Sequence, residues 1–365
     1  MIYFKFLGVG FLYDVTSLSP MSDWIHPHFD YRPKRPLFLC VISNTETGKI
    51  PGISAAGSSP DLTDYTPGAD AELVELNKII TIPKVPSSPE GATTPATMTR
   101  AALTLSGIPS LFVTSGLRMK PAVPYVDAGG SAGGDIRIEA AVPEAAEIME
   151  RAALLGSKLA TLSDCVFIGE SIAGGTTTAM AVMQALGYMG MVSSSLSENP
   201  LGLKQEIVDQ ALERCGASFG SMRSDPIGAL AELGDPMMPC ALGLMKGLQD
   251  TKVVLAGGTQ MAAILTVADA LDMDGDVSIA TTKYVVEDKS ASFRTIVEEV
   301  GQTCYVVDPG LERSAMPAIR CYAEGSAKEG VGAGGAILAA SLRGITQQQI
   351  VEETDNVLLT VELPK

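Results

Sequence analysis

The sequence predicts an α/β protein: a doubly wound, mainly parallel sheet with helices on both faces, plus a small helical subdomain. Three observations carry that expectation. Short apolar runs recur without in/out alternation, helix-length amphipathic stretches separate them, and 37 glycines supply turns for a chain that is 46% hydrophobic. Runs without alternation suit strands buried on both faces, and intervening helices make right-handed crossovers, so a parallel, Rossmann-like sheet follows.

The elements follow in chain order. The N-terminal MIYFKFLGVGFLYDV is apolar, but it carries only Lys5, lacks a small-residue cleavage site and is too interrupted to span a bilayer. It reads as an added strand or a misplaced start, with Met21 as an alternative first residue, so residues 1–34 form an N-terminal extension. Core strands are expected at Leu37–Ile42, Leu111–Thr114, Cys165–Ile168, Met189–Val192, Val253–Ala256, Val277–Ala280 and Cys304–Val307. Helices are expected at Pro143–Leu159, Thr177–Leu186, Leu201–Cys215 and Met261–Leu271. Ile82–Pro95, rich in proline, serine and threonine, reads as a surface loop, either a variable connector or a cover for a site. The tail Thr346–Lys365 suggests a short helix and then a strand, Val357–Val361, packed on the domain or on a second subunit. Residues 35–345 between the two ends are expected to form the main α/β domain.

Composition narrows the partners. A net charge of −16 argues against general affinity for nucleic acid or anionic membranes, so an anionic ligand needs a local device to hold it. The six cysteines are scattered through apolar runs with no C-x-x-C pair, which favours a reducing, cytoplasmic compartment. The two histidines flank Pro27, and no cluster has zinc-ligand spacing, so no metal and no cofactor are expected.

Two glycine-rich segments carry chemistry. In GESIAGGTTTA, Glu170 ends a strand, Gly174 and Gly175 permit close backbone approach, and Thr176, Thr177 and Thr178 open a helix. Exposed N–H groups at a helix start bind phosphate; a tight strand–helix turn whose threonines only cap the helix explains the same letters. No lysine follows the glycines, which excludes a Walker A loop. In EGSAKEGVGAGGAILAA, Glu329 stands at a glycine-bounded helix entrance. It is either an acid facing a cavity or an acid stabilised by the helix dipole.

With both segments in hand, the chain resembles the CobT family, nicotinate-nucleotide:dimethylbenzimidazole phosphoribosyltransferases of cobamide synthesis, and within it a divergent, largely archaeal branch. GESIAGGTTT parallels the family's G-E-M-G-I-G-N-T-T, and KEGVGAGGAILAA parallels its L-G-E-G-T-G-A-A-L-A, with Glu329 on the catalytic glutamate. SSSLSENPLGLKQEIVDQAL resembles the segment ending R-K-x-x-V-x-x-A-L and sets Lys204 on a phosphate-contacting lysine; a solvated helix lysine is the plain reading of that residue. NTETGKIPGISAAGSSP resembles the early loop A-G-D-H-G-V-x-x-x-G-V-S-A-Y-P, where Ser54 helps orient the acceptor base. The likeness runs from about Pro36 to Leu342. It breaks on the base side: Asn44-Thr45 replaces an Asp-His pair, Gly234-Asp235-Pro236-Met237 replaces G-G-F-E, and DAGGSAGGDIR is written differently.

The resemblance implies phosphoribosyl transfer from nicotinate mononucleotide to an aromatic azole base, giving an α-ribazole phosphate-type product and nicotinate for cobamide lower-ligand synthesis. It also implies a homodimer. Nicotinate leaves as a neutral ring nitrogen, so one general base suffices, and Glu329 is the candidate. Glu170 either stabilises the oxocarbenium-like sugar or holds ribose hydroxyls. Gly174, Gly175, Thr176 and Thr177, with Lys204, would hold the phosphate. Asp135 and Arg137 read equally well as a ligand clamp or a surface ion pair, and Lys283 and Lys289 match no motif. A different base or donor, or a non-catalytic nucleotide-binding or regulatory protein, are the alternative functions.

Overall fold

A computed structural model describes residues 24–54 and 59–364, and the apolar N-terminal stretch with Met21 lies outside them. The strands in chain order are β1 (Ile25–His26), β2 (Pro36–Ile42), β3 (Ser110–Thr114), β4 (Tyr125–Asp127), β5 (Cys165–Ser171), β6 (Lys252–Ala256), β7 (Val277–Thr282) and β8 (Thr303–Val307). The helices are α1 (Thr66–Leu76), α2 (Ala96–Ser106), α3 (Ala145–Leu159), α4 (Gly175–Ala185), α5 (Leu201–Arg214), α6 (Pro226–Leu233) and α7 (Met237–Gly247). They continue with α8 (Thr259–Ala270), α9 (Lys283–Val286), α10 (Phe293–Val300), α11 (Pro317–Arg320), α12 (Ala333–Ser341) and α13 (Gln347–Thr360).

One sheet carries the strands in the order β1-β8-β7-β6-β5-β2-β3-β4. Every pairing is parallel except β1 with β8. From β2 the chain builds outward through β3 and β4, then returns to β5 on the other side of β2 and builds the opposite way. The order therefore reverses between β2 and β5, and loops leaving their carboxyl ends open a crevice there.

The strands are buried on both faces, as their unbroken apolar runs require. Along β5, Val166 and Ile168 face a core filled mainly by α3 to α8 and α10. Cys165 and Phe167 face a second core, built chiefly from α1, α2, α12 and α13. Because side chains alternate along a strand, Glu170 emerges on the first face and Ser171 on the second.

Two expected strands are absent. Met189–Val192 is irregular, with Met189 and Met191 exposed, and it pairs with no strand of the sheet. Val357–Val361 lies mostly within α13, where Ile350, Val351, Thr354 and Val357 form a buried helical stripe against α2. A capping box at Thr346 and Gln349 starts that helix, and only a single bridge, Lys78 to Glu362, follows it.

Candidate active site

A cleft of about 980 Å³, counting space continuous with solvent, opens at the β2/β5 switch point. Glu170 at the end of β5 and Glu329 before α12 both line it, with Gly174, Gly175, Thr176 and Ser54. The two carboxylates are far apart in sequence, and backbone contact brings them together. The Val331 N–H donates to the Glu170 carbonyl at 2.8 Å. A Cβ on Gly169 would lie 2.8 Å from the Gly332 Cα, so β5 and the entrance to α12 cross with no side chain between them.

Glu329 does both things its sequence context allowed. It accepts N–H groups of Thr282 at 2.9 Å, Gly334 at 3.1 Å and Gly330 at 3.2 Å, clasping the start of α12 while lining the cleft. Burial raises its pKa to about 7 against those hydrogen bonds. Glu170 is pushed to about 8, first by burial and then by the charges of Asp235 and Glu329. Gln260 and the Ile172 N–H hydrogen-bond it and pull the other way. The Glu329 charge thus adds to the rise at Glu170, although burial is the larger cause.

The α4 entrance is where the sequence reading expects an anion. Gly174 is left-handed, with φ of 83°, and a Cβ there would meet the Gly48 Cα at 2.3 Å. The first N–H groups of the helix, at Gly175 and Thr176, have no intrahelical acceptor. Thr177 belongs to the core instead: its side chain is buried, outside the cleft lining. Thr178 Oγ1 donates to Asp235 at 2.6 Å, which ties α4 to the start of α7. Asp235, buried and raised to about 6, stands behind Glu170.

Lys204 corrects the sequence expectation. It is fully buried on α5 and does not line the cleft. Its ammonium donates to the Ser193 carbonyl at 2.8 Å and to Asn199 Oδ1 at 3.4 Å. Burial, with help from the charge of nearby Lys328, lowers its pKa to about 7. Lys204 thus braces the Ser193–Ser195 wall from behind. The lysine that lines the cleft is Lys328, which donates to the Ser194 carbonyl at 2.6 Å and pairs with Asp288 at 3.4 Å.

Asp135 and Arg137 form an ion pair at 2.6 Å and do not line the cleft. Lys283 pairs with Asp308 at 2.8 Å and Glu312 at 3.4 Å. The loop 82–95 forms one wall of the cleft through Pro86, Ser87, Ser88 and Ala92 to Pro95. Glu90 fastens it, accepting from Ser326 Oγ at 2.6 Å and from the Ser197 N–H at 3.1 Å.

Sequence reasoning missed Asp70. It lies on α1, almost fully buried, in the cleft wall, with its pKa raised to about 7 by burial. The available signal was an acid flanked by alanines, one helical turn after Thr66. Among the described residues no helix is long and apolar enough to cross a membrane, and no group of three or more His, Cys, Asp or Glu could hold a metal ion.

No family model matches the chain. It is 50% identical over 339 residues to a UPF0284 protein of Methanosarcina mazei, covering 92% of this chain and 97% of that one. It is 44% identical over 323 residues to a UPF0284 protein of Pyrococcus furiosus, covering 88% and 97%. The fold matches the nicotinate-nucleotide-dimethylbenzimidazole phosphoribosyltransferase structure from Thermus thermophilus, with TM-score 0.54 and 17% identity over 88% of this chain and 86% of that one. A structure of CobT from the same organism matches with TM-score 0.55 and 17% identity, covering 87% and 84%.

Proposed function

The chain belongs to the UPF0284 protein family, and we propose that it transfers a phosphoribosyl group from nicotinate mononucleotide to an aromatic azole base of the benzimidazole type, releasing nicotinate. The product would be an α-ribazole phosphate-type nucleotide for a cobamide lower ligand. One observation carries the reading: Glu170 and Glu329 open onto one cleft beside the α4 entrance. The shared fold with the Thermus enzyme is in keeping with it.

In this reading the 5′-phosphate sits on the N–H groups of Gly175 and Thr176, with Lys328, the lysine of the cleft lining, as its counter-charge. The ribose lies over Glu170. The pyridinium of the bound nucleotide draws both carboxyls toward their ionised forms, because an opposite charge favours the anion. The C1′–N bond to nicotinate breaks and its electron pair returns to the ring nitrogen. The azole nitrogen forms the new C1′–N bond, and its N–H proton passes to Glu329. A carboxylate with a pKa near 7 suits that transfer, since it is partly ionised at neutral pH and holds the proton once taken. Ser54, also in the cleft lining, would help orient the base.

The test is nicotinate release from nicotinate mononucleotide, followed against benzimidazoles and adenine. Release that depends on an added base supports the transfer. Tight nucleotide binding without release, for every base offered, would replace it with a non-catalytic nucleotide-binding role.

A further inference from the structure

Asp70 has no part in the transfer just described, yet it is an ionisable group buried in the same cleft. Its Oδ1 accepts from Thr94 Oγ1 at 2.7 Å and its Oδ2 from Ser171 Oγ at 2.8 Å. It forms no ion pair among the described residues, so two neutral hydroxyls are its whole compensation. A carboxylate has about four lone-pair sites, and these hydroxyls use two. If the role were only to tie α1, the Thr94 turn and β5 together, a neutral amide would do so without a buried charge.

The surroundings point to a ligand. Thr93 Oγ1, beside Thr94 in the same wall, is buried and has no hydrogen-bond partner among the described residues. Ile53, Pro86, Pro95 and Val331 supply apolar walls of the cleft. Asp70 lies against the Ser171 face of the sheet, whereas Glu170 projects on the opposite face, toward Gln260 and α4. The anion-binding helix start and Asp70 therefore flank the sheet from opposite sides, with Glu329 at the crossing between them. A phosphate is unsuited to the Asp70 side, since a carboxylate repels it; a flat ring with a hydrogen-bond donor suits it.

Building on the transfer reading, we propose that Asp70, with Thr93, selects the acceptor: an azole-containing aromatic base carrying a hydroxyl or amino donor on the ring away from its reacting nitrogen. A buried acceptor left unpaired penalises an analogue that lacks the donor, which is how a site built to hydrogen-bond its substrate rejects the apolar analogue. The apolar walls bind both rings alike; Asp70 supplies the difference.

The test is calorimetric and needs no turnover. Benzimidazole and 5-hydroxybenzimidazole, which differ by one hydroxyl, are titrated into the full chain in the presence of nicotinate mononucleotide at low temperature, with the nucleotide titrated separately. The wild-type chain should bind the hydroxylated base about 10-fold or more tightly. In Asp70→Ala the ratio should fall to near unity, and in Asp70→Asn, which keeps the volume, it should fall at least several-fold, with nucleotide affinity unchanged in both. That unchanged affinity also certifies that the variants fold. Equal binding of the two bases by the wild type, or a ratio that survives both substitutions, overturns the proposal. So does loss of nucleotide affinity, which would put Asp70 on the ribose. Because these readouts are binding constants, an absence of nicotinate release would sink the transferase reading while leaving the Asp70 result independently legible.

Discussion

Glu329 holds the start of α12 and lines the cleft, so its two duties separate under substitution. Glu329→Gln keeps the side-chain volume and one carbonyl acceptor but cannot take a proton; base transfer should drop by about 100-fold or more while nicotinate mononucleotide still binds, as single-turnover and equilibrium measurements would show. In the wild type with nucleotide saturating, kcat/KM for the base should climb with pH and level off at or below about 7, because the bound pyridinium favours the carboxylate form of Glu329. A flat profile from about pH 5 to about pH 8 would remove the group from proton transfer. Lys328→Ala should raise KM for the nucleotide more than it lowers kcat, whereas Lys204→Ala should lower stability by loosening the Ser193–Ser195 wall. Both glutamates were legible in the sequence because glycines on either side mark where backbone must pass closely. Asp70 and Lys328 were not, since what sets them apart is burial against groups distant in sequence, and no local spacing encodes that.

At the scale of elements, the helix start that reads GGTTT depends on the fit between two glycines. Gly174→Ala would force a side chain into a left-handed residue against the Gly48 backbone. The conformational strain alone is about 1–2 kcal/mol, and the clash adds to it. Unfolding in denaturant should report that loss, and nucleotide affinity should fall with it. Most core strands were readable because a parallel sheet imposes continuous apolar runs. Met189–Val192 mimics such a run, but two methionines on an exposed crossing carry no periodic information. Val357–Val361 shows the opposite conflict. Its β-branched residues favour a strand, yet the buried stripe from Ile350 to Val357 and the α2 surface it meets carry the helix to Thr360. The edge strands β1 and β4, two and three residues long, are too short to announce themselves in any pattern.

The whole molecule gathers several buried acids into one cleft, and its stability should register them. Asp70, Glu170 and Glu329 have pKa values raised to between about 7 and 8 in the folded protein. The unfolded chain releases those protons at about pH 4. Between the two ranges the folded state holds more protons, so stability falls as pH rises from about 5 to 8 and then levels. Thermal unfolding without ligand should show the highest Tm at the acid end of that window; Asp70→Asn should flatten the slope. A Tm that rises across the window would contradict the burial of these carboxyls. Meanwhile, the distance between Glu170 and Glu329 is gauged by bare backbone at Gly169 and Gly332. No rotamer, charge or neighbouring mutation can tune a spacer that has no side chain. A saturation scan should therefore find these two glycines as intolerant as the acids they align, although neither has an atom to offer a substrate, and divergence in ligand preference must be written elsewhere along the walls.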